Sequence, residues 1–262
     1  MARNKRLFLI LWLAGMAGVL SFLLVDISAV VMALPVPEGM PPPELPPPAL
    51  LKLAAVFQPA VLTSAAVVVG IWLAPKVGLH APVAEAFAND KPVWPALRPQ
   101  LIPGIAAGIG CGTAIVAAWV IAKPLMPADF VSRALEFNKF IPHAVRILYG
   151  GFTEEILLRW GVMTVLVWLL WRVLQLGAGH PRGVFVVGAI VVSAILFGAG
   201  HLPIASALAG GLTLPIVIYV IVANSLFGIA AGFLYWRRGL EAAMIAHMFA
   251  HVVLIAAIYT AL

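Results

Sequence analysis

Long apolar runs separated by short polar segments organise this chain. The first run extends from Leu7 to about Leu34 and is interrupted only by Asp26. Six more follow, at about Ala49–Ala74, Leu101–Ile121, Ala144–Leu174, Gly183–Gly200, Leu212–Trp236 and Leu240–Ala261. A membrane-spanning helix needs about 20 apolar residues, and each run approaches or exceeds that length. The pattern therefore predicts an all-α membrane protein with about seven transmembrane helices.

Two segments between the runs have a different character. Pro35–Pro48 holds eight prolines together with Glu38 and Glu44, which predicts an extended polyproline spacer outside the bilayer. Ala128–Ile141 has the periodicity of a helix with one apolar and one charged face, which is typical of a helix lying in the membrane interface. Its apolar positions are Phe130, Ala134, Phe137 and Ile141, and its charged positions are Asp129, Arg133, Glu136 and Lys139.

Composition supports the membrane interpretation. The chain is 63% hydrophobic and only 10% charged, whereas soluble domains carry about 25% charged residues. Its mean hydropathy is +1.09. These values exclude a soluble enzyme, a disordered chain and a nucleic-acid-binding module. The glycines of the third run, Gly104, Gly108, Gly110 and Gly112, suit close helix packing, and Gly104 and Gly108 have small-xxx-small spacing.

The basic residues predict an orientation. Arg3, Lys5 and Arg6 precede the first run, which is longer than the ~7–15 apolar residues of a signal peptide, so we expect a retained span. An N-terminus in the cytoplasm places ten basic residues inside and five outside, as the positive-inside rule favours. The outside set is Lys52, Lys123, Arg133, Lys139 and Arg146. We interpret the net charge of +6 as this topology signal. The expected location is a bacterial or archaeal cell membrane.

Ionisable side chains within spans are costly and therefore candidate functional groups. Nearly all of them lie in the second half of the chain. They are Glu154, Glu155, Arg159, His201, His247 and His251, with Asn224 and Asp26 as lesser members.

The two adjacent glutamates are expected to differ. On a helix they point about 100° apart, which predicts that they cannot share one environment. Glu155 lies four residues before Arg159, in the favourable order for a helical ion pair. Glu154 has no local partner, so we expect its carboxylate to find one across the bundle.

The histidines form a second group. His247 and His251 are four residues apart and project from one helix face, and this spacing also suits a metal ion. His201 closes the fifth run. Familiar protease signatures are missing: His-Glu-x-x-His and Gly-x-Ser-Gly do not occur, and the only aspartates are Asp26, Asp90 and Asp129.

This combination resembles the CAAX protease and bacteriocin-processing family of intramembrane proteases. Glu154, Glu155 and Arg159 match its Glu-Glu-x-x-x-Arg motif, and Phe197 and His201 match Phe-x-x-x-His. The last motif is a histidine followed four residues later by asparagine. His247 matches it, but position 251 is histidine.

The resemblance implies a four-helix catalytic core at about 144–262, with residues 1–143 as accessory spans, loop and interfacial helix of a single membrane domain. It implies that Glu154 activates water with help from His201, that His247 and residue 251 stabilise the oxyanion, and that Glu155 and Arg159 support the helix. Phe197 and Asn224 are expected to support the site.

The expected function is thus metal-free, glutamate-activated hydrolysis of a membrane-associated or lipidated protein, without a cofactor or a nucleic-acid partner. One alternative is a non-enzymatic membrane scaffold, immunity factor or transporter component. Another is a zinc-dependent hydrolase with Glu154, His201, His247 and His251 as ligands.

Overall fold

The computed structural model describes residues 2–36, 39, 41 and 44–260, with side chains from Asn4 onward. Within these ranges no strand occurs, which confirms the all-α prediction. The helices are α1 (Ala2–Ser21), α2 (Ile27–Met32), α3 (Pro48–Leu73), α4 (Pro82–Ala88), α5 (Trp94–Ala122), α6 (Ala128–Phe140), α7 (His143–Leu174), α8 (Gly183–Gly200), α9 (Leu202–Ala209), α10 (Leu214–Arg238) and α11 (Leu240–Tyr259).

Seven helical segments of the described chain are long and apolar enough to cross a membrane, as the sequence predicts. They run Asn4–Leu24, Pro48–Val77, Trp94–Leu125, His143–Leu174, Gly183–Ala209, Leu214–Arg238 and Leu240–Tyr259. Prolines in the first turn begin several helices, where a missing N–H is harmless. Pro59, Pro99 and Pro103 lie inside helices, which transmembrane bundles tolerate.

The first membrane-spanning segment ends at Leu24, before Asp26, whereas the apolar run in the sequence continues to about Leu34. The Asp26 carboxylate accepts a hydrogen bond from the backbone N–H of Ala29 at 3.0 Å and caps α2. Asp26 therefore has a structural explanation as a helix cap.

The proline-rich segment is described only in part. Residues 37, 38, 40, 42 and 43 of the predicted spacer, which include Glu38, lie outside the described residues. Pro47, just before α3, has the extended backbone expected of that segment (φ −49°, ψ 140°).

Helix α6 forms where the amphipathic pattern predicts it and ends one residue before Ile141. Phe130 on its apolar face is buried in a cluster with side chains from α9 and α10. These partners include Ala205, Leu208, Ile216 and Val220. The apolar side of α6 is thus covered by protein at this point.

Glycines bring helices from the first half of the chain against those of the second half. A Cβ at Gly104 or Gly112 of α5 would lie 2.9 Å from a backbone oxygen of α11, and Gly108 is equally close-packed. The predicted small-xxx-small packing is therefore confirmed for Gly104 and Gly108. The prediction for Gly110 is wrong, because this glycine faces open space.

The first span packs on α7 in the same way. A Cβ at Gly18 would lie 2.6 Å from the Leu148 carbonyl oxygen. The Thr153 hydroxyl donates to the Gly15 carbonyl at 2.8 Å. Helix α1 is therefore in direct contact with the turn that precedes Glu154, whereas a functional division between residues 1–143 and 144–262 stays a prediction.

Candidate active site

Helix α7 departs from regular α-helical winding where it carries the two glutamates. The stretches Arg146–Glu154 and Ile156–Met163 are π-helical. Such stretches, with hydrogen bonds from residue i to i+5, often mark functional sites. Because each turn takes up more residues, adjacent side chains diverge by less than the 100° of an α-helix. The sequence predicted a regular helix here, and nothing in its apolar periodicity signals the change.

Glu155 forms the predicted pair with Arg159. The side chains of both residues are fully buried, and Arg159 Nε lies 3.2 Å from Glu155 Oε2. The guanidinium also donates to the Gly228 carbonyl at 3.2 Å and lies over the Phe197 and Phe227 rings, at 5.2 and 5.7 Å. Helix α7 is thereby attached to α8 and α10.

His247 lies between the two glutamates. Its Nδ1 is 2.8 Å from Glu155 Oε1, and its Nε2 is 3.6 Å from Glu154 Oε2. Glu154 therefore finds its partner across the bundle, as expected. The two carboxylates lie at different ring nitrogens of the same imidazole, a shared contact that the sequence did not predict. They still differ in exposure: the Glu155 side chain is fully buried, and that of Glu154 is 19% exposed.

His201 lies at the end of α8 and has a defined tautomer. Its Nδ1 is 2.9 Å from the Phe197 carbonyl oxygen, so Nδ1 carries a hydrogen and donates it. The Phe197 ring packs edge-on against the imidazole, with centroids 4.9 Å apart. In the neutral ring Nε2 then keeps a lone pair that can accept a hydrogen bond from water.

His247 and His251 share one face of α11, as their spacing predicts. Their rings are nearly parallel, 10° apart, with centroids separated by 4.9 Å. Phe227 packs on the His247 ring at 4.2 Å. His251 Nδ1 is buried and has no hydrogen-bond partner among the described residues. Gly150 leaves the room for both rings, because a Cβ there would lie 2.5 Å from His251 Nε2 and 3.2 Å from His247 Nε2.

A cavity of about 270 Å³ brings these side chains together. Its polar lining consists of Arg146, Tyr149, Glu154, His201, Asn224, His247 and His251. A second cavity, of about 300 Å³, is lined mainly by apolar side chains of α5, α6, α10 and α11 and shares Arg146, His201 and Asn224 with the first. Glu155 and Arg159 line neither cavity, and Asn224 donates to the Val220 carbonyl at 2.8 Å.

Arg146 and Tyr149 are the site residues that the sequence analysis missed. Arg146 was counted only as an outside loop charge, yet it lines the cavity that contains Glu154. A usable signal existed: Arg146 precedes Glu154 by eight residues, or about two helical turns, within one apolar run.

The four side chains considered as zinc ligands do not form a metal-binding arrangement. Among the described residues no group of three or more His, Cys, Asp or Glu side chains could hold a metal ion. Metal-free chemistry nevertheless stays a prediction until it is measured.

Comparison with known proteins supports the motif analysis. Residues 136–253 match the family model of Rce1-like type II CAAX prenyl endopeptidases. The matched stretch begins in α6, ends in α11 and contains all four proposed catalytic side chains. The match confirms the family resemblance stated from the motifs. No curated protein and no solved structure matches the chain.

Proposed function

We propose, given that residues 136–253 match the family model of Rce1-like type II CAAX prenyl endopeptidases, that Glu154 activates water for peptide-bond hydrolysis in this multi-pass membrane protein. The family match supports an intramembrane peptidase. The observation that carries the glutamate mechanism is the position of Glu154 in the cavity, 3.6 Å from His247 Nε2 and together with His201 and His251.

In this mechanism the Glu154 carboxylate removes one proton from water, while His201 Nε2 accepts a hydrogen bond from the hydrogen that the resulting hydroxide keeps. The hydroxide attacks the scissile carbonyl carbon, and the carbonyl oxygen becomes an oxyanion. The proton held by Glu154 then passes to the leaving nitrogen as the C–N bond breaks. The immediate products are a carboxylic acid and an amine, which become a carboxylate and an ammonium when the acid gives up its proton. General acid–base catalysis of this kind contributes about 10²–10⁴-fold.

The oxyanion requires N–H donors that are held in place before the reaction. His247 directs its Nδ1 hydrogen to Glu155, so it can supply an oxyanion donor only from its other ring nitrogen, Nε2. This requires that Nε2 also carries a hydrogen. His251 supplies the second from its imidazole, in place of an asparagine amide. Glu155 thus has a positioning role, since it sets the orientation of the His247 ring in addition to pairing with Arg159.

The substrate that we propose is a membrane-associated protein or a lipidated peptide. The cavity next to the catalytic one is lined mostly by apolar side chains, including Trp119, Phe130 and Tyr219, and can accept an apolar part of such a substrate. A prenylated peptide is therefore the first compound to assay.

The decisive experiment compares Glu154→Gln with Glu136→Gln in purified protein. Glu136 is an exposed carboxylate of α6 that lines neither cavity, so it serves as the matched control. We expect Glu154→Gln to lose about 10²–10⁴-fold in kcat while retaining its Tm, and Glu136→Gln to keep both. Equal activity of the two variants would refute the assignment. Membrane proteomes from cells carrying wild type or Glu154→Gln would then identify the native substrate as a protein left uncleaved.

A further inference from the structure

Gln58 of α3 exposes a side-chain amide within a membrane span. It lies about four to five residues from the centre of the span Pro48–Val77, which corresponds to roughly 7 Å along the helix. The hydrocarbon core extends about 15 Å to either side of the bilayer midplane. Lipid tails offer neither donors nor acceptors at this depth. The amide is therefore exposed where lipid cannot form hydrogen bonds with it.

The protein itself does not satisfy this amide. The side-chain hydrogen bonds that α3 donates within the described chain come from Lys52 and Ser64 and not from Gln58. The other glutamine within a span, Gln100, donates to a carbonyl of its own helix at 2.9 Å and accepts from the Ala242 N–H at 2.8 Å. A bond back to α3 would satisfy one N–H of Gln58 and still leave the amide oxygen without a donor.

Gln58 belongs to a continuous exposed stripe, here called the α3 seam, with the spacing of a coiled coil. Its members recur at alternating intervals of four and three residues, which is the a/d pattern of a heptad. The seam is about 27 Å long, close to the thickness of the hydrocarbon core. The other side of α3, which includes Thr63, Val67 and Gly70, is buried in the bundle. All members of the seam are exposed: Ala54, Gln58, Val61, Ala65, Val68 and Trp72.

We propose that the α3 seam is the contact between two copies of this chain, with the two Gln58 side chains hydrogen-bonded to each other. Copies inserted in the same orientation are related by a two-fold axis perpendicular to the membrane, which places each residue of the seam opposite itself. A carboxamide carries both donors and an acceptor, so it is complementary to a second carboxamide. One contact therefore satisfies both amides. A single polar residue at a seam position also fixes the register of the two helices.

The residues around Gln58 favour this contact. Ala54 and Ala65 are small and allow two backbones to approach closely, and glutamine forms hydrogen bonds across such membrane helix pairs. Pro59 has no N–H, so the Ala55 carbonyl lacks its helical donor and offers a further acceptor in the same turn. No residue of α3 lines either cavity. Association through the seam is therefore separable from the proposed peptidase function.

The first test measures self-association of the purified full-length protein in liposomes, by single-molecule photobleaching over a range of protein-to-lipid ratios. We expect the wild type to form dimers whose fraction rises with density. Gln58→Leu should weaken the dimerisation constant about 5- to 30-fold, and Gln58→Asn, which keeps a carboxamide, should lie between the two. Val192→Leu changes an exposed apolar residue of α8 and should match the wild type.

The second test locates the contact by disulfide formation between copies. In a background without Cys111, Val61→Cys lies on the seam one turn after Gln58 and should crosslink two chains under oxidation in the membrane. Val192→Cys is the matched control, because both valines are exposed within spans, by 52% for Val61 and 45% for Val192. The control should not crosslink.

The inference is overturned by a wild type that stays monomeric at every density, by an unchanged dimerisation constant in Gln58→Leu, or by equal crosslinking of the two cysteines. Crosslinking of Val61→Cys to a different protein would also overturn it, because the seam would then belong to another partner. If Gln58→Leu does not fold, Gln58→Asn and the cysteine pair still decide the question. None of these results bears on the peptidase function, which the Glu154 variants test separately.

Discussion

Replacing Gly150 by alanine should inactivate the protein while leaving it folded. The added Cβ would lie 2.5 Å from His251 Nε2 and 3.2 Å from His247 Nε2. Ordinary contacts begin at about 3.5 Å, so the His251 ring must move by about 1 Å. A misplacement of this size at a reacting group costs about 10²-fold in rate. We therefore expect kcat to fall about 100-fold.

The effect on stability should be small because the displaced atom is the end of a side chain. Overpacking costs about 1–3 kcal/mol, and alanine in place of glycine in a helix recovers roughly 0.5–1 kcal/mol. Two other glycines provide matched controls. A Cβ at Gly151 would lie 2.6 Å from Met248 Cγ, away from the imidazoles, and one at Gly110 would meet nothing within 4 Å.

The assay measures kcat with a prenylated peptide and Tm for the three purified alanine variants. Gly151→Ala should have a Tm close to that of Gly150→Ala but nearly wild-type activity, and Gly110→Ala should match the wild type in both. Activity of Gly150→Ala equal to that of Gly151→Ala would refute the reasoning, because it would show that the positions of the two imidazoles do not matter for catalysis.

Three further predictions concern charge, metal and orientation. Glu155→Gln should destabilise the protein by about 3–5 kcal/mol because Arg159 loses its buried partner, which unfolding in detergent measures. It should also lower kcat, because His247 loses its anionic partner. An unchanged Tm would contradict this prediction. His251→Asn should retain activity, whereas His251→Ala should lose about 10²-fold and chelators should have no effect on the wild type; inhibition by a chelator would refute metal-free hydrolysis. In a background without the native cysteine, Ser132→Cys should be labelled by an impermeant maleimide from outside the cell and His180→Cys only after permeabilisation; the reverse pattern would invert the orientation.

Much of the architecture follows from the sequence because it depends on local periodicity. A span requires about 20 apolar residues in succession, and this condition can be counted along the chain. Two residues four positions apart share a helix face, which predicted both the Glu155–Arg159 pair and the common face of His247 and His251. The position of ionisable side chains within spans also identified them as candidate functional groups, because such groups are costly there.

Tertiary structure decided what each of these side chains contacts. The sequence gives no measure of helix rotation or of π-helical winding, so it could not place His247 between Glu154 and Glu155. It could not separate Gly108, which packs against α11, from Gly110, which faces open space. Arg146 illustrates the same limit, because its spacing from Glu154 places the two residues on one helix, but only the packing of the other helices encloses both side chains in one cavity. Contacts between helices depend on how several faces rotate to bury one another, and that arrangement is a property of the whole bundle.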